Sequence, residues 1–411
     1  LKKVIDPEAK IKVKNGVLVK DNYKYIINPF DEIAIEEAIL IKEKNSNVET
    51  VLISISDETS TIQIKHALAM GIDKAILIKV KNMNIAVLGA GGWGTAIAAL
   101  LSENNHNVTL WAFEDDVVNE INIEHTNKRF LPQKDIPQSI KATNDLNEIE
   151  KNEFIVLAIP TQHIRSVVSK INLKNKIIIN LAKGIEQKSL LRVSELLIQS
   201  TGISPEQYTI ITGPSHAEEV AKQIPTTVVA ASEHNQYEKQ IVDIFTTSYF
   251  RIYSSLDVVG CEIGGSLKNV IAIAAGIIDG LNFGDNTKAA LITRGLAEIS
   301  RLGIALGANP ITFSGLSGLG DLYVTCSSKH SRNRFVGEQI GKGKTLSEIT
   351  SQMKMIAEGV STAESAFSLS QKHNVEMPIT EQVYNILFNG LDPLEAIQML
   401  MTRQSKREWW W

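Results

Sequence analysis

The chain has 411 residues, of which 42 are Lys or Arg and 46 are Asp or Glu, so its formal net charge is −4. Hydrophobic residues make up 44% and charged residues 21%, which is ordinary for a globular protein of several domains. The near-neutral balance argues against a nucleic-acid or membrane-surface binder, since such proteins usually carry a basic excess. Two cysteines cannot form a disulfide framework, and no run of about 18 apolar residues predicts a membrane span. We therefore expect a cytoplasmic protein without a secretion signal or a metal site.

The first 82 residues have a pattern of their own. An alternating run around Gly16 predicts a hairpin, and a helix is predicted near Asp31, which is a candidate for its N-cap. The elements predicted next are a strand, a helix and a strand, Val48–Ile55, Thr61–Met70 and Lys74–Val80. This βαβαβ alternation favours a small parallel sheet.

From Met83 onward strands alternate with stretches long enough for crossover helices, and after about residue 257 only helical patterns follow. The predicted strands are Ile85–Leu88, Asn107–Ala112, Phe154–Ile159, Lys176–Asn180, Tyr208–Thr212, Thr226–Ala231 and Phe250–Tyr253. The predicted C-terminal helices are Val270–Leu281, Thr287–Leu306, Arg334–Gly341, Ala363–Lys372, Thr380–Phe388 and Pro393–Met401. The pattern thus predicts an α/β domain over 83–256 and an all-helical domain over 257–411, preceded by a partial α/β segment over 1–82.

A glycine-rich segment, Gly-Ala-Gly-Gly-Trp-Gly, begins at Gly89 between a predicted strand and a predicted helix. Gly89 permits a tight turn, Gly91 lets a pyrophosphate approach the backbone, and Gly94 allows close packing of helix on strand. The N–H groups and the dipole at the start of the helix attract the diphosphate. A purely structural turn is the alternative, but the flanking strand and helix and the acid Glu114 favour a dinucleotide site. The segment therefore predicts a Rossmann-type doubly wound sheet.

The end of the second strand bears on the choice of cofactor. Its residues Phe113, Glu114, Asp115 and Asp116 include no basic side chain. Acids at this place repel a 2′-phosphate and can accept a hydrogen bond from a ribose hydroxyl, so NADH is favoured, with Phe113 facing the adenine. The same acids also suit the start of a helix, and both interpretations can hold together.

Charged residues follow or interrupt several apolar segments. Lys183 stands at the carboxyl end of a strand, where open α/β sheets bind ligands, and Gly213 begins a turn that opens a helix. Lys268 lies where an apolar helix is predicted to begin; burial would lower its pKa toward a value useful for proton transfer, although such lysines more often lie at the surface. Asp321 lies in a glycine-rich turn, and Arg332 has polar neighbours that suit a phosphate monoester, or merely a solvated helix start.

Taken together, residues 83–403 resemble the NAD(P)-dependent glycerol-3-phosphate dehydrogenase family. The motifs that carry the resemblance are Gly89–Ala96, Phe130-Leu131-Pro132, Ala182-Lys183-Gly184, Gly213-Pro214-Ser215, Gly265–Val270, Leu291-Ile292-Thr293-Arg294-Gly295, Gly318–Leu322 and Ser331-Arg332-Asn333. The resemblance implies reversible hydride transfer between NAD(P)H and dihydroxyacetone phosphate to give sn-glycerol 3-phosphate, which feeds glycerophospholipid synthesis. It also implies a homodimer that binds this small-molecule substrate, has no nucleic-acid partner and does not span a membrane.

The resemblance further implies a role for each matched position. Lys268 becomes the general acid–base, with Lys183 and Asp321 as the other catalytic residues. The implied substrate-binding residues are Lys183, Gly213, Ser215, Lys268, Asp321, Ser331, Arg332 and Asn333. The implied cofactor-binding residues are Gly89, Gly91, Gly92, Trp93, Gly94, Phe113, Lys183, Ala217, Arg332, Ile356 and Glu358. Because bacterial members often have Arg or His at the position of Phe113, the Phe113-Glu114 stretch favours NADH over NADPH.

Residues 2–80 resemble a different family, the electron transfer flavoprotein beta subunit. The matching motifs are Lys3–Pro7, Asn28–Ala38 and Ala67–Ala75. The match covers about the first third of that family, so we expect a segment that does not bind AMP or flavin, either a fusion scar or a remnant domain.

Two other functions stay open at this point. One is a different Rossmann-plus-helical oxidoreductase, of the hydroxyacid or 6-phosphogluconate type, against which Ser331-Arg332-Asn333 and Gly320-Asp321 argue. The other is an electron-transfer partner that docks an alpha subunit through residues 1–82.

Overall fold

The computed structural model describes residues 1–6, 13–14, 17–18, 24–56, 60–79, 82–132, 134–353, 356–405 and 407–408. The chain forms two compact units, Leu1–Asn82 and Met83–Trp411. The turn at Gly16, around which the sequence predicts a hairpin, lies outside the described residues. So do the three terminal tryptophans, which the sequence suggests are a tail.

The first unit consists of short strands and two helices. Its strands are β1 (Lys3–Ile5), β2 (Val13–Lys14), β3 (Val17–Leu18), β4 (Tyr25–Ile27), β5 (Val51–Ser56) and β6 (Lys74–Lys79), and its helices are α1 (Pro29–Lys44) and α2 (Thr61–Met70). The expected small parallel sheet is confirmed for β5 and β6, which pair in parallel, whereas β4 pairs antiparallel with β1 in a separate sheet. The N-cap of α1 is Asn28 rather than Asp31, whose carboxylate accepts instead from the backbone N–H of Lys2.

The second unit begins with an eight-stranded sheet. Its strands are β7 (Asn84–Leu88), β8 (Asn107–Trp111), β9 (Lys141–Thr143), β10 (Phe154–Leu157), β11 (Ile177–Asn180), β12 (Tyr208–Thr212), β13 (Thr226–Ala231) and β14 (Phe250–Ser255). The order is β14-β13-β12-β11-β10-β7-β8-β9, with all neighbours parallel except β12 and β13. The order reverses between β7 and β10, which is where doubly wound sheets bind ligands. The predicted Rossmann-type sheet is confirmed; β9, only three residues long, was missed.

The remaining elements of this unit are helices. Those that accompany the sheet are α3 (Gly92–Glu103), α4 (Asp115–Glu124), α5 (Leu146–Glu150), α6 (Thr161–Val168), α7 (Val193–Thr201), α8 (Ala217–Ala221) and α9 (Glu238–Phe245). Those that follow it are α10 (Val258–Gly280), α11 (Asp285–Ala305), α12 (Asp321–Ser327), α13 (Arg332–Gly341), α14 (Leu346–Gln352), α15 (Glu358–Lys372), α16 (Pro378–Phe388) and α17 (Pro393–Met401). The predicted all-helical C-terminal region is confirmed, although α12 and α14 were not predicted.

Helix α10 is the centre of the helical region. It begins at Val258 with Asp257 as its N-cap, twelve residues before the predicted start, so Lys268 lies in the middle of the helix and the predicted helix-start position is wrong. Gly264 and Gly265 do not interrupt it: a Cβ there would lie 2.5 Å from the carbonyl oxygen of Ser317 and 2.8 Å from Thr212 Oγ1. The helix is long and apolar enough to cross a membrane, but its apolar stretch is completely buried within the protein, as in the core helix of a soluble protein.

Glycines also set the distance between α10 and α13. A Cβ on Gly276 would lie 1.9 Å from the carbonyl oxygen of Arg334, and a Cβ on Gly337 would lie 1.9 Å from that of Ile273. These are backbone atoms, which cannot rotate away, so the two helices can cross this closely only where both residues lack a side chain.

The Gly276→Ala substitution is therefore expected to lower the free energy of unfolding by at least about 2 kcal/mol, because α13 must move away from α10. Gly284→Ala is the matched control, since Gly284 has a negative φ and a Cβ there would meet no described atom within 4 Å. Chemical denaturation of both variants measures the difference. Equal stability of the two variants would contradict the proposed backbone contact.

Candidate active site

The glycine loop between β7 and α3 has the geometry of a phosphate cradle. Gly89 has a φ of +116°, and a Cβ there would lie 2.6 Å from the carbonyl oxygen of Ala158. A Cβ on Gly94 would lie 1.8 Å from the carbonyl oxygen of Gly89, whereas one on Gly91 would meet no described atom within 4 Å. Gly89 and Gly94 thus close the turn, and Gly91 leaves open space beside the N–H groups that begin α3. This space fits the diphosphate of a dinucleotide.

An acidic and a basic side chain lie side by side beyond the carboxyl end of β8. Phe113 is 81% exposed, and its ring lies 6.4 Å from that of Trp111. Glu114 occupies the N-cap position of α4, so the expected helix start is confirmed here. Arg129 was not predicted from the sequence; its Nη1 lies 3.8 Å from Glu114 Oε1, and its guanidinium lies over Phe130. The acid therefore faces a neighbouring cation.

A buried carboxylate joins the two lysines of the candidate site. Asp321 is completely buried; its Oδ1 accepts from the Nζ of Lys268, and its Oδ2 accepts from the Nζ of Lys183 at 2.7 Å. Lys268 also donates to Thr325 Oγ1 at 2.9 Å, and Lys183 to the carbonyl oxygen of Gly213 at 3.0 Å. The two ammonium groups are thus held on opposite oxygens of one carboxylate, in charge-assisted hydrogen bonds.

Burial and the neighbouring charges together set the pKa values of this cluster. Burial lowers the pKa of Lys268 to about 8, against the opposing attraction of Asp321, and the positive charge of Lys183 lowers it further. Burial alone would raise the pKa of Asp321, but the two lysines outweigh it and hold that pKa below its ordinary value. Asp321 is therefore ionised at neutral pH, while Lys268 can both donate and accept a proton near that pH.

The other end of the site is built on the start of α13. Ser331 is the N-cap, Arg332 is exposed, and Asn333 is buried. The amide of Asn333 donates to Asn269 Oδ1 at 2.9 Å and accepts from the backbone N–H of Gly359 at 2.9 Å, so its orientation is fixed. A guanidinium beside free helix N–H groups is suited to an anionic group such as a phosphate monoester.

Glu358 connects the sheet region to the helical region at this site. It begins α15, and its Oε1 accepts from the backbone N–H of Thr161 at the start of α6, at 2.9 Å. Burial raises the pKa of this carboxyl, while the backbone of Thr161 and the nearby charge of Arg332 oppose the rise. The contact places α15 and its neighbours against the carboxyl edge of the sheet.

A cavity of about 160 Å³ brings most of the predicted residues together. Those in its wall are Gly92, Trp93, Lys183, Ser215, Ala217, Lys268, Ser331, Arg332, Asn333, Ile356 and Glu358. Asp321 and Gly213 lie behind the lysines that they bind, and Gly89, Gly91 and Gly94 form the adjoining loop. Phe113 is the predicted residue that stands apart, on an exposed surface. The roles of all these residues stay predictions.

Five polar residues of this cavity had no role predicted from the sequence, namely His216, Glu218, Asn269, Thr325 and His330. Thr325 follows Asp321 by four positions on α12, and that spacing on one helix face is the signal that could have found it. His216 and His330 come from separate loops, with ring centroids 5.9 Å apart, and nothing in the sequence connects them. Burial, together with the charge of Lys268, lowers the pKa of His216.

Comparison with known families matches three segments of the chain. Residues 84–238 match the family model described as NAD-dependent glycerol-3-phosphate dehydrogenase N-terminus, and residues 257–398 match its C-terminus. Residues 15–115 match the model described as electron transfer flavoprotein domain. That third match confirms the second resemblance, and it extends beyond residue 80 into the strands of the second unit.

Individual proteins match about four fifths of this chain over almost their own whole length. The chain is 51% identical over 328 residues to glycerol-3-phosphate dehydrogenase [NAD(P)+] of Thermoanaerobacter sp., which covers 79% of this chain and 98% of that protein. It is 48% identical over 329 residues to the protein so named from Lysinibacillus sphaericus, covering 79% and 97%. A crystal structure of glycerol-3-phosphate dehydrogenase from Coxiella burnetii superimposes with a TM-score of 0.75 at 38% identity, covering 78% of this chain and 99% of that one. The chain belongs to the NAD-dependent glycerol-3-phosphate dehydrogenase family.

Proposed function

We propose that the protein catalyses reversible hydride transfer between NAD(P)H and dihydroxyacetone phosphate, giving sn-glycerol 3-phosphate. The observation that carries this proposal is the buried group of Lys268, Asp321 and Lys183, next to the phosphate-suited start of α13 at Arg332. Proteins named glycerol-3-phosphate dehydrogenase [NAD(P)+] match this chain over nearly their full length. The product is the phosphorylated backbone of glycerophospholipids, so we assign the reaction to the supply of their synthesis.

The chain's own residues account for the proton that accompanies hydride transfer. NAD(P)H, held along the loop from Gly89 to Gly94, supplies the hydride when it is bound. As the carbonyl oxygen of the substrate gains negative charge, Lys268 donates the proton that turns it into a hydroxyl, and in the reverse direction the same amine accepts it. Asp321 fixes the position of that amine, and Lys183 adds a second positive charge near the oxygen.

The phosphate of the substrate is assigned to the opposite side of the cavity. Arg332 can bind two phosphate oxygens, and Asn333, held by Asn269, presents a fixed amide. Ser215 and Ser331 are the hydroxyl groups on the same wall. Binding the phosphate there fixes the distance from the substrate carbonyl to Lys268.

Several broader features are part of the same proposal. We infer a cofactor domain over 83–256, a substrate domain over 257–411 and a non-catalytic segment over 1–82. We infer further that the enzyme works in the cytoplasm as a homodimer, as the family resemblance implies.

Lys268→Ala is expected to lower kcat by about 10²–10⁴-fold, because the transferred proton loses its donor. The dissociation constant of NADH, measured by fluorescence titration, should stay near the wild-type value. Lys342→Ala is the control, since Lys342 is an exposed lysine paired with Glu338. A Lys268→Ala variant with more than about a tenth of wild-type turnover would refute the proposed role.

The pH dependence of kcat gives a second readout of the same role. Because Lys268 must be protonated to donate, kcat for dihydroxyacetone phosphate reduction should fall as pH rises through about 8, whereas kcat for glycerol 3-phosphate oxidation should rise through the same range. Steady-state kinetics in both directions measures this. Profiles that change in the same direction would assign the titration to another group.

We further propose that NADH is the preferred cofactor, because Glu114 repels a 2′-phosphate and engages Arg129. Wild-type kcat/KM should be higher with NADH than with NADPH. Glu114→Ala should raise kcat/KM for NADPH about tenfold by releasing Arg129, and the added Arg129→Ala change should remove that gain. Initial-rate kinetics of the single and double variants tests this, and an unchanged NADPH value in Glu114→Ala would reject it.

Deletion of residues 1–82 is expected to leave kcat and KM within about twofold of the full chain, because the two dehydrogenase family models match only residues 84–238 and 257–398. The full-length protein, as purified, should contain neither flavin nor AMP by absorbance and mass spectrometry. A flavin-loaded preparation, or loss of dehydrogenase activity in a folded deletion variant, would instead support an electron-transfer role for this segment.

A further inference from the structure

A second cavity, of about 400 Å³, lies among α10, α11, α16 and α17. Its volume is within the range of small-molecule sites, and most of its wall is apolar, including Ile277, Leu291, Val383, Ile386 and Leu400. Within the described part of the chain, none of its wall residues belongs to the cavity that contains Lys268. The proposed reaction therefore leaves this cavity unexplained.

The charged residues of this cavity are mostly positive. Its wall contains four arginines and two glutamates, namely Arg294, Arg301, Arg403, Arg407, Glu298 and Glu408. Arg294 belongs to the motif Leu291–Gly295, to which the candidate active site gives no role. A concentration of guanidinium groups at an apolar cavity is suited to an anionic head with an apolar body.

The acids of the described residues balance only part of this charge, since Arg403 forms an ion pair with Glu376. Glu298 is 1% exposed, and its two oxygens accept from the backbone N–H groups of Ile379 at 2.7 Å and Thr380 at 3.1 Å, so it caps the start of α16. Burial raises its pKa to about 7, which reduces its negative charge further near neutral pH. Arg301 donates a hydrogen bond to the carbonyl oxygen of Glu376. Burial lowers the pKa of Arg301, the charge of Glu298 opposes this, and the neighbouring arginines lower it further.

One uncharged polar group in the wall has no partner. Gln382 is 7% exposed, and its Oε1 is buried without a hydrogen bond to any residue that the structure describes. A buried amide oxygen left in this way costs free energy unless a ligand or water binds it. It is a second, independent sign that the cavity accommodates a molecule.

We propose that this cavity is a second binding site, which takes an anion carrying a long hydrocarbon chain, either a carboxylate or an alkyl phosphate. The chain lies against the wall formed by Ile277, Val383 and Ile386, and the anionic head is bound by Arg294 and Arg407. A hydrophobic chain alone would not need the arginines, and a small anion alone would not need the apolar wall.

Two neighbouring alanines on α11 provide a matched pair of variants. Ala290 lines the cavity and Ala289 does not, and both are exposed, so neither substitution removes a core contact. Isothermal titration calorimetry of the full chain with dodecanoate and with dodecyl phosphate measures occupancy of the second cavity, with the active site saturated by NADH and glycerol 3-phosphate, two reduced compounds that cannot react with each other. Ala290→Trp should weaken binding at least about tenfold, while Ala289→Trp should leave it within about twofold.

The head group is tested by Arg294→Gln, which should weaken both ligands about tenfold, and by dodecanol, which should bind correspondingly more weakly than the anions. The tighter of the two anions identifies the head as carboxylate or phosphate. The proposal is overturned if the wild-type chain binds neither anion, if the two tryptophan variants bind equally, or if bound substrate displaces the anion. It is also overturned if Ala290→Trp, and not Ala289→Trp, converts a dimer to a monomer in ultracentrifugation, since a second copy would then cover the cavity.

Discussion

The carboxylate of Asp321 holds two lysines, and the geometry of the candidate site depends on this contact. A buried carboxylate is costly to desolvate, and here each of its oxygens accepts from one ammonium group. Two lysines and one carboxylate leave one positive charge in excess within this group; Arg332 adds a positive charge at the cavity wall, and Glu218 and Glu358 are acidic residues of the same wall. The positive charge concentrated at the two lysines and Arg332 suits a phosphate monoester. The same arrangement would favour an uncharged substrate much less.

The position of Lys268 is fixed at two points along α10. Before it, Glu262 accepts from Arg192 at 2.6 Å and from the hydroxyl of Tyr208 at 2.6 Å, which attaches the start of the helix to α7 and β12. After it, Gly276 lets α13 approach to backbone contact. Because α13 also begins with the residues assigned to the phosphate, this crossing sets the distance between the two ends of the substrate. Packing between helices thus determines the distance between Lys268 and the proposed phosphate site.

The sequence predicts well whatever depends on local patterns. The strand, glycine turn and helix around Gly89 follow from spacing alone, and the bounds of α2 match the predicted Thr61–Met70. The predicted position of Lys268 at the start of its helix was wrong, because Gly264 and Gly265, taken in isolation, suggest that the helix begins there. Their role is tertiary: they make room for Ser317 and Thr212, which lie far away in sequence. No local rule separates a glycine that ends a helix from one that admits a neighbour.

The net charge of −4 hides how unevenly the protein distributes its positive charge. One group of cations gathers around Asp321, and another lines the cavity among α10, α11, α16 and α17. The second group comes from residues as far apart as Arg294 and Arg407, so it exists only after folding and has no signature in composition. Bringing these guanidinium groups together at the cavity has an electrostatic cost: burial lowers the pKa of Arg301, the charge of Glu298 opposes this, and the charges of Arg294 and Arg403 lower it further. Such a cost at an apolar cavity, beside the unpaired amide oxygen of Gln382, is explained if an anion occupies the cavity in the working protein.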